Sequence, residues 1–364
     1  MNEVLTQKRI HNFSAGPAAL PLDILEIAQK ELLNFDNSGM SVMEISHRSK
    51  EYLAVHEGAI EGIKAALNVP DQYKVLLLQG GASLQFSMVP MNLKLKDKAV
   101  NVINTGTWTK KAIKEFKKET EVNIIASSET EKFNSIPTQF SIDSNASFTY
   151  IASNNTIAGT QWHEFPNTGD IPLVADMSSD ILSRPLDISR FGLIFAGAQK
   201  NIGPSGVTIV IIHESLLQRS SNDLPTMLNY NTHVDNRSLY NTPPTFAIYM
   251  VYLVTKWIAK QGGINRIYKI NQEKAKSIYD LIDGNFYNTP VEKGSRSLMN
   301  IVFRIRNNDV LENKFLAEAE ELGLMNLKGH RSVGGLRASI YNAVTQNSVN
   351  ALTEFMIKFK ERNG

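Results

Sequence analysis

One stretch holds an apolar run, a single lysine and a turn rich in glycine and proline: Phe191-Gly-Leu-Ile-Phe-Ala-Gly-Ala-Gln-Lys-Asn-Ile-Gly-Pro-Ser-Gly-Val207. A second apolar run continues to His213, so the two runs are expected to form an antiparallel pair of strands. Lys200 stands at the end of the first run, where burial should lower its pKa and free its amine as a nucleophile. Such an amine suits a Schiff base with a carbonyl compound, although a lysine that merely ends a strand is the commoner case.

On either side of this stretch, short apolar runs alternate with helical patterns. This alternation predicts an α/β fold with a mostly parallel sheet covered by helices on both faces. Seven strands are expected, at residues 74–79, 98–103, 122–126, 147–152, 171–176, 193–195 and 207–213.

After Asn241-Thr-Pro-Pro-Thr245 the pattern changes to two long helices, at residues 246–261 and 264–283, separated by Gly262-Gly263. Beyond them, strands are expected at 300–305 and 334–340, and helices at 313–322 and 344–359. We therefore predict a large domain over residues 16–266 and a smaller α+β domain formed by residues 1–15 and 267–364.

The composition excludes several classes of protein. The chain has 364 residues, a hydrophobic fraction of 42% and a net charge of +2, which gives no argument for a nucleic-acid or membrane partner. It contains no cysteine, so disulfides and thiolate metal ligands are excluded, and we assign no metal site. No signal peptide and no run of transmembrane length is seen, and a cytoplasmic protein is expected.

Ligands of open α/β sheets bind beyond the carboxyl ends of the strands, so the residues at those ends are candidates for a site. Gly80-Gly-Ala-Ser83 at a predicted helix start can hold a phosphate, although an ordinary tight turn is equally expected. Trp108 can stack on a planar ring, although a core aromatic is commoner. Asp176 needs a partner, which a protonated pyridine nitrogen, Arg184 or a helix N-terminus would supply.

Together these residues match the needs of pyridoxal 5'-phosphate. Lys200 would form the Schiff base with its aldehyde, and Asp176 would keep its ring nitrogen protonated. Trp108 would lie against the ring, and the turn from Gly80 to Ser83 would bind the phosphate.

The sequence also resembles the phosphoserine aminotransferases, a family of class-V, fold-type I pyridoxal-phosphate enzymes. The resemblance covers essentially the whole chain. It is carried by residues 12–21, 43–48, 80–86, 107–108, 174–185, 197–204, 240–245 and 329–339.

The resemblance implies specific roles for individual residues. For the cofactor it implies Lys200 as the Schiff-base lysine, together with Ala82, Ser83, Trp108, Thr156, Asp176 and Gln199. Family members vary at Ser83, where some carry arginine. Asn241 and Thr242 would reach the cofactor phosphate from the other subunit of a homodimer. For the substrate it implies Ser14, His47, Arg48, His330, Arg331 and Arg337, with Arg337 on the α-carboxylate.

The implied activity is reversible, ping-pong transamination of 3-phosphohydroxypyruvate with glutamate, giving phosphoserine and 2-oxoglutarate. The family also acts on a longer phosphorylated 2-oxo acid in vitamin B6 synthesis. Two His-Arg pairs suit dianionic substrates, because guanidinium forks bind carboxylates and phosphates. Another class-V aminotransferase, of the alanine–glyoxylate or serine–pyruvate type, or an inactive metabolite-binding homologue are the alternatives. A desulfurase would need a catalytic cysteine, and a nicotinamide enzyme would need a dinucleotide fingerprint.

Overall fold

The computed structural model describes residues 9–364, in which strands and helices alternate along the chain. The strands are β1 (His11–Asn12), β2 (Tyr73–Leu78), β3 (Val100–Asn104), β4 (Val122–Ser127), β5 (Thr149–Ala152), β6 (Asn154–Asn155), β7 (Thr160–Gln161), β8 (Leu173–Asp176), β9 (Leu193–Gly197), β10 (Thr208–His213), β11 (Tyr287–Asn288), β12 (Asn300–Ile305), β13 (Leu324–Met325) and β14 (Leu336–Ser339). The α-helices are α1 (Leu22–Glu31), α2 (Lys50–Leu67), α3 (Gly81–Leu93), α4 (Thr107–Phe116), α5 (Tyr230–Asp235), α6 (Thr245–Lys260), α7 (Gly263–Ile282), α8 (Asp309–Glu321) and α9 (Gln346–Asn363).

The largest sheet has seven strands in the order β2-β10-β9-β8-β5-β3-β4. β10 is antiparallel to both of its neighbours, and the other adjacent pairs are parallel. The mostly parallel sheet and the antiparallel pair around Lys200 are therefore as predicted. Because β2, β3, β4, β5, β8 and β9 point the same way, the residues that follow them meet at one edge of the sheet.

Each face of this sheet has its own hydrophobic core. Along β10, Ile209 and Ile211 pack into the core that contains α2 and α6, whereas Val210 and Ile212 pack with α3 and α4. All four side chains are fully buried. The strand is apolar throughout because successive side chains point to opposite faces and helices cover both.

Local sequence sets the helix ends. The Ser49 hydroxyl accepts a hydrogen bond from the Tyr52 amide and caps the start of α2, and Asn68 ends the helix in a left-handed conformation. α1 begins after Pro21. It ends at Glu31, and the chain then makes a short 3₁₀ turn, Phe35–Asn37, in which Asp36 has a φ of 47°.

A third hydrophobic core lies under the antiparallel sheet β11-β12-β14, between α7, α8 and α9. Phe13, from the start of the chain, is fully buried in it. β1 pairs in parallel with β13. α8 begins at Asp309, earlier than predicted, because the Asn308 side chain caps it by accepting from the Val310 and Leu311 amides. The domain boundary at 266/267 stays a prediction.

Within residues 9–364, no helix is both long enough and apolar enough to cross a bilayer.

Candidate active site

A cavity of about 490 Å³ opens at the carboxyl edge of the large sheet. Its walls come from the turns that follow β2, β3, β5, β8 and β9, from the Ala15–Pro17 segment and from residues near β14. Nine of the residues predicted from the sequence line it: Ala82, Ser83, Trp108, Thr156, Asp176, Gln199, Lys200, His330 and Arg337.

Lys200 lies at the centre of the cavity wall and is 9% exposed. Its Nζ donates a hydrogen bond of 2.8 Å to Oγ1 of Thr156. Burial lowers the pKa of Lys200 to about 8, although the nearby Asp176 carboxylate opposes this shift. About a tenth of the amine is therefore unprotonated at pH 7, far more than for an ordinary lysine, and this form can act as a nucleophile or a general base.

The backbone at Gly16 packs against the side chain of Lys200. Gly16 has a φ of 142°, and a Cβ at this position would lie 3.5 Å from both Cγ and Cε of Lys200. Glycine is suited to this conformation, and any larger residue would place its side chain against that of Lys200.

Asp176 ends β8 and is buried. Its Oδ1 accepts two hydrogen bonds from Ser178, one from the amide at 2.9 Å and one from the hydroxyl at 2.6 Å. Burial raises the pKa of Asp176, while the hydrogen bonds from Ser178 and the charge of Lys200 oppose the rise. No hydrogen bond reaches its Oδ2 within the described part of the chain, so this oxygen is available to a ligand.

The predicted phosphate turn lies at the start of a 13-residue helix. Gly80 and Gly81 have φ values of 84° and 66°, and no side chain caps α3. The first amides of a helix have no partner inside the helix, so those at Ala82 and Ser83 are free to bind an anion. Trp108, in the first turn of α4, adds a further donor: its Nε1 is buried and has no partner within residues 9–364.

Arg337 and His330 reach the cavity from the part of the chain around β14. Arg337 in β14 donates from Nη1 to the Thr156 carbonyl at 3.3 Å, and its buried Nε has no partner within residues 9–364. His330 accepts a hydrogen bond at Nδ1 from the Ser332 amide, at 3.2 Å. Since an amide can only donate, Nδ1 is unprotonated and the neutral ring carries its proton on Nε2.

The other predicted site residues do not line this cavity in the single chain. Ser14 accepts a hydrogen bond from the Gly16 amide at 3.4 Å and so shapes the adjoining turn. Arg331 is exposed. His47 and Arg48 lie just before α2, and Asn241 and Thr242 are exposed just before α6.

Sequence reasoning did not assign a role to two residues of the site. Ser178 holds Asp176, and Gly16 contacts Lys200. The spacing Asp-x-Ser was a usable indication for Ser178, since a serine two residues after an aspartate often bonds its carboxylate. Nothing in the sequence places Gly16 beside a lysine 184 positions away.

Comparison with known proteins gives a consistent result. The family model "Aminotransferase class-V" matches residues 10–352. The phosphoserine aminotransferase of Geobacillus kaustophilus is 58% identical over 359 residues, which cover 98% of this chain and 99% of that protein.

Solved structures agree. The phosphoserine aminotransferase of Bacillus circulans subsp. alkalophilus has a TM-score of 0.96 at 51% identity, covering 98% of this chain and 99% of that one. The PLP-bound phosphoserine aminotransferase of Trichomonas vaginalis has a TM-score of 0.91 at 40% identity, covering 96% of this chain and 100% of that one. The fold class and the enzyme class expected from the sequence are confirmed. The chain belongs to the class-V aminotransferases and, within them, to the phosphoserine aminotransferase family.

Proposed function

We propose that this chain catalyses transamination between glutamate and 3-phosphohydroxypyruvate, with pyridoxal 5'-phosphate as its cofactor. One observation carries the proposal. The buried Lys200, whose pKa is lowered, shares its cavity with the buried carboxylate of Asp176 and with Arg337 and His330. Both substrates carry an α-carboxylate and a second anionic group, so a guanidinium near a nucleophilic amine fits their charge.

The residues of the cavity fit the cofactor. The free Oδ2 of Asp176 would pair with the ring nitrogen, and Trp108 would lie against the ring. The first amides of α3, at Ala82 and Ser83, would hold the phosphate with Gln199, and Thr156 would bond the phenolic oxygen side. When bound, the cofactor supplies an aldehyde for Lys200 and an electron sink for the substrate's α-carbon.

The side chains of the cavity would each take a different part in the reaction. Nζ of Lys200 would move a proton between the α-carbon of the substrate and the cofactor, in opposite directions in the two half-reactions, because a pKa of about 8 lets the amine accept and release a proton. Thr156 orients Nζ through the 2.8 Å hydrogen bond. Arg337 holds the α-carboxylate, and Ser14 lies near it. Nε2 of His330 donates to the distal anionic group, with Arg331 beside it.

We further propose that the enzyme is a homodimer in which each active site takes residues from both subunits. His47, Arg48, Asn241 and Thr242 would enter the partner's cavity, since they do not line their own. The segment before α2 exposes large apolar side chains, among them Leu33 at 83% and Met43 at 54%. Exposed apolar surface of this kind is typical of an interface. Tyr240, beside Asn241, is also exposed. The segment before α2 packs on α6 through the contact of Phe35 with Tyr249.

We also propose that the active site lies between the large domain of residues 16–266 and the small domain of residues 1–15 and 267–364. The reaction would take place in the cytoplasm. The absence of cysteine is compatible with a reducing compartment.

The visible absorption spectrum of the purified holoenzyme tests the proposed function. Phosphoserine should convert the band of the lysine-bound cofactor into that of the aminated cofactor, and alanine should not. A response to alanine alone would keep the cofactor and overturn the substrate. No band after incubation with pyridoxal phosphate would overturn the cofactor as well.

A further inference from the structure

Lys111 in α4 differs from the neighbouring lysines in its contacts. Lys110 forms an ion pair with Glu129, and Lys118 forms one with Glu115. Lys111 has no carboxylate partner among residues 9–364. Its Nζ instead lies 4.2 Å from the centroid of the Trp108 ring. A cation over an indole ring is held in place without losing its charge.

Trp108 connects Lys111 to the cavity. Trp108 and His330 both line it, and Lys111 lies one helical turn after Trp108 in α4. Lys111 is also close enough to His330 for their charges to interact. The pKa of His330 is lowered first by partial burial and then by Arg337, Arg331 and Lys111.

Three cations, Arg337, Arg331 and Lys111, lie near enough to lower the pKa of His330. None of the three forms an ion pair with a carboxylate within residues 9–364. Cations held together without a neutralising carboxylate repel one another, and a bound anion removes that cost. This end of the cavity is therefore suited to an anion with more than one negative charge.

We propose that Lys111 is a further specificity-determining residue, a cation for the phosphate group of the phosphorylated amino acid and 2-oxo acid. The inference rests on the proposed function and deepens it. A phosphate carries up to two negative charges and three acceptor oxygens, whereas the distal carboxylate of glutamate carries one charge. Lys111 should therefore act more strongly on the phosphorylated substrates than on glutamate.

The test compares K111M with the charge-preserving variant K111R and with K114M, an exposed lysine of the same helix. For K111M, kcat/KM for phosphoserine should fall about three- to fivefold, mainly through KM, as expected for an exposed ion pair. The value for glutamate should change less than about twofold. K111R and K114M should stay near wild type, and added salt should reduce the difference between K111M and wild type.

A binding measurement separates the possible outcomes. Calorimetry of inorganic phosphate with the holoenzyme should give weaker binding for K111M than for wild type or K114M. Unchanged phosphate affinity and phosphoserine kinetics in K111M would overturn the role of Lys111. An equal loss of kcat/KM for phosphoserine and glutamate would also overturn it, because Lys111 would then only position Trp108. If the wild-type enzyme does not turn over phosphoserine, the proposed function is wrong, and the role of Lys111 is wrong with it.

Discussion

The backbone amide of Asn342 donates a hydrogen bond of 3.0 Å to Oδ1 of Asn201, the residue that follows Lys200. Asn342 lies three residues after β14, the strand that carries Arg337. Its side chain bonds the Leu182 carbonyl at 2.7 Å and Asn271 at 2.9 Å. The lysine turn and the arginine strand are thus joined by one buried polar network.

Replacing Asn342 with alanine should destabilise the protein. The variant N342A loses both side-chain hydrogen bonds and leaves the buried Leu182 carbonyl without a partner, whereas Nδ2 of Asn271 keeps its hydrogen bond to the Ser183 carbonyl. The free energy of unfolding should fall by about 2–4 kcal/mol, as measured by urea denaturation. N347A, at an exposed asparagine of α9, is the control. Equal stability of the two variants would contradict the importance of the network.

The amine of Lys200 should react with aldehydes at a lower pH than an ordinary lysine. Only the unprotonated amine is nucleophilic, so its reaction rate rises as pH passes through its pKa. That pKa is about 8 in the folded protein, against 10.5 for an unperturbed lysine. The pH dependence of adduct formation between the cofactor-free protein and pyridoxal, with K200M as the blank, measures it. A midpoint above pH 10 would show that burial does not act as described.

Removing the hydroxyl of Ser178 should impair Asp176. In S178A the carboxylate loses the 2.6 Å hydrogen bond, and its pKa, already raised by burial, should rise further. The acid limb of the kcat profile should therefore move to higher pH, and kcat should fall, by about tenfold for a bond to a charged group.

The chain supplies a matched control for this variant. Ser189 makes the same two hydrogen bonds to Asp187, but both residues are exposed on the surface. S189A should leave the pH profile unchanged. If S178A also leaves the pH profile unchanged, Ser178 does not stabilise the ionised form of Asp176.

Active sites shared between subunits can be tested by complementation. The variants K200A and R48A should each be inactive or nearly so. When the two are unfolded together and refolded, about half of the dimers are hybrids with one intact site, so about a quarter of the wild-type activity should return. An R48A homodimer with full activity, or a mixture with no recovered activity, would exclude a shared site that uses Arg48.

The sequence predicts the sheet better than it predicts the small elements. Apolar runs such as Val207–His213 are long enough to be seen, whereas β1 and β13 have two residues each and pair across more than 300 positions. The carboxyl-end rule brought Lys200, Asp176 and Trp108 to one edge correctly, because it depends only on strand direction. Contacts between distant parts of the chain, such as that of Gly16 with Lys200, depend on packing that no local pattern contains.

The pairing of β1 with β13, and the burial of Phe13 in the core between α7, α8 and α9, have a consequence for biosynthesis. A ribosome releases residues 11–13 before residues 324–359, so the earlier segment has no place to dock until α9 has emerged. The Ala15–Pro17 wall of the cavity, which follows residues 11–13 directly, closes only then. Translation through α9 must therefore precede completion of the pocket.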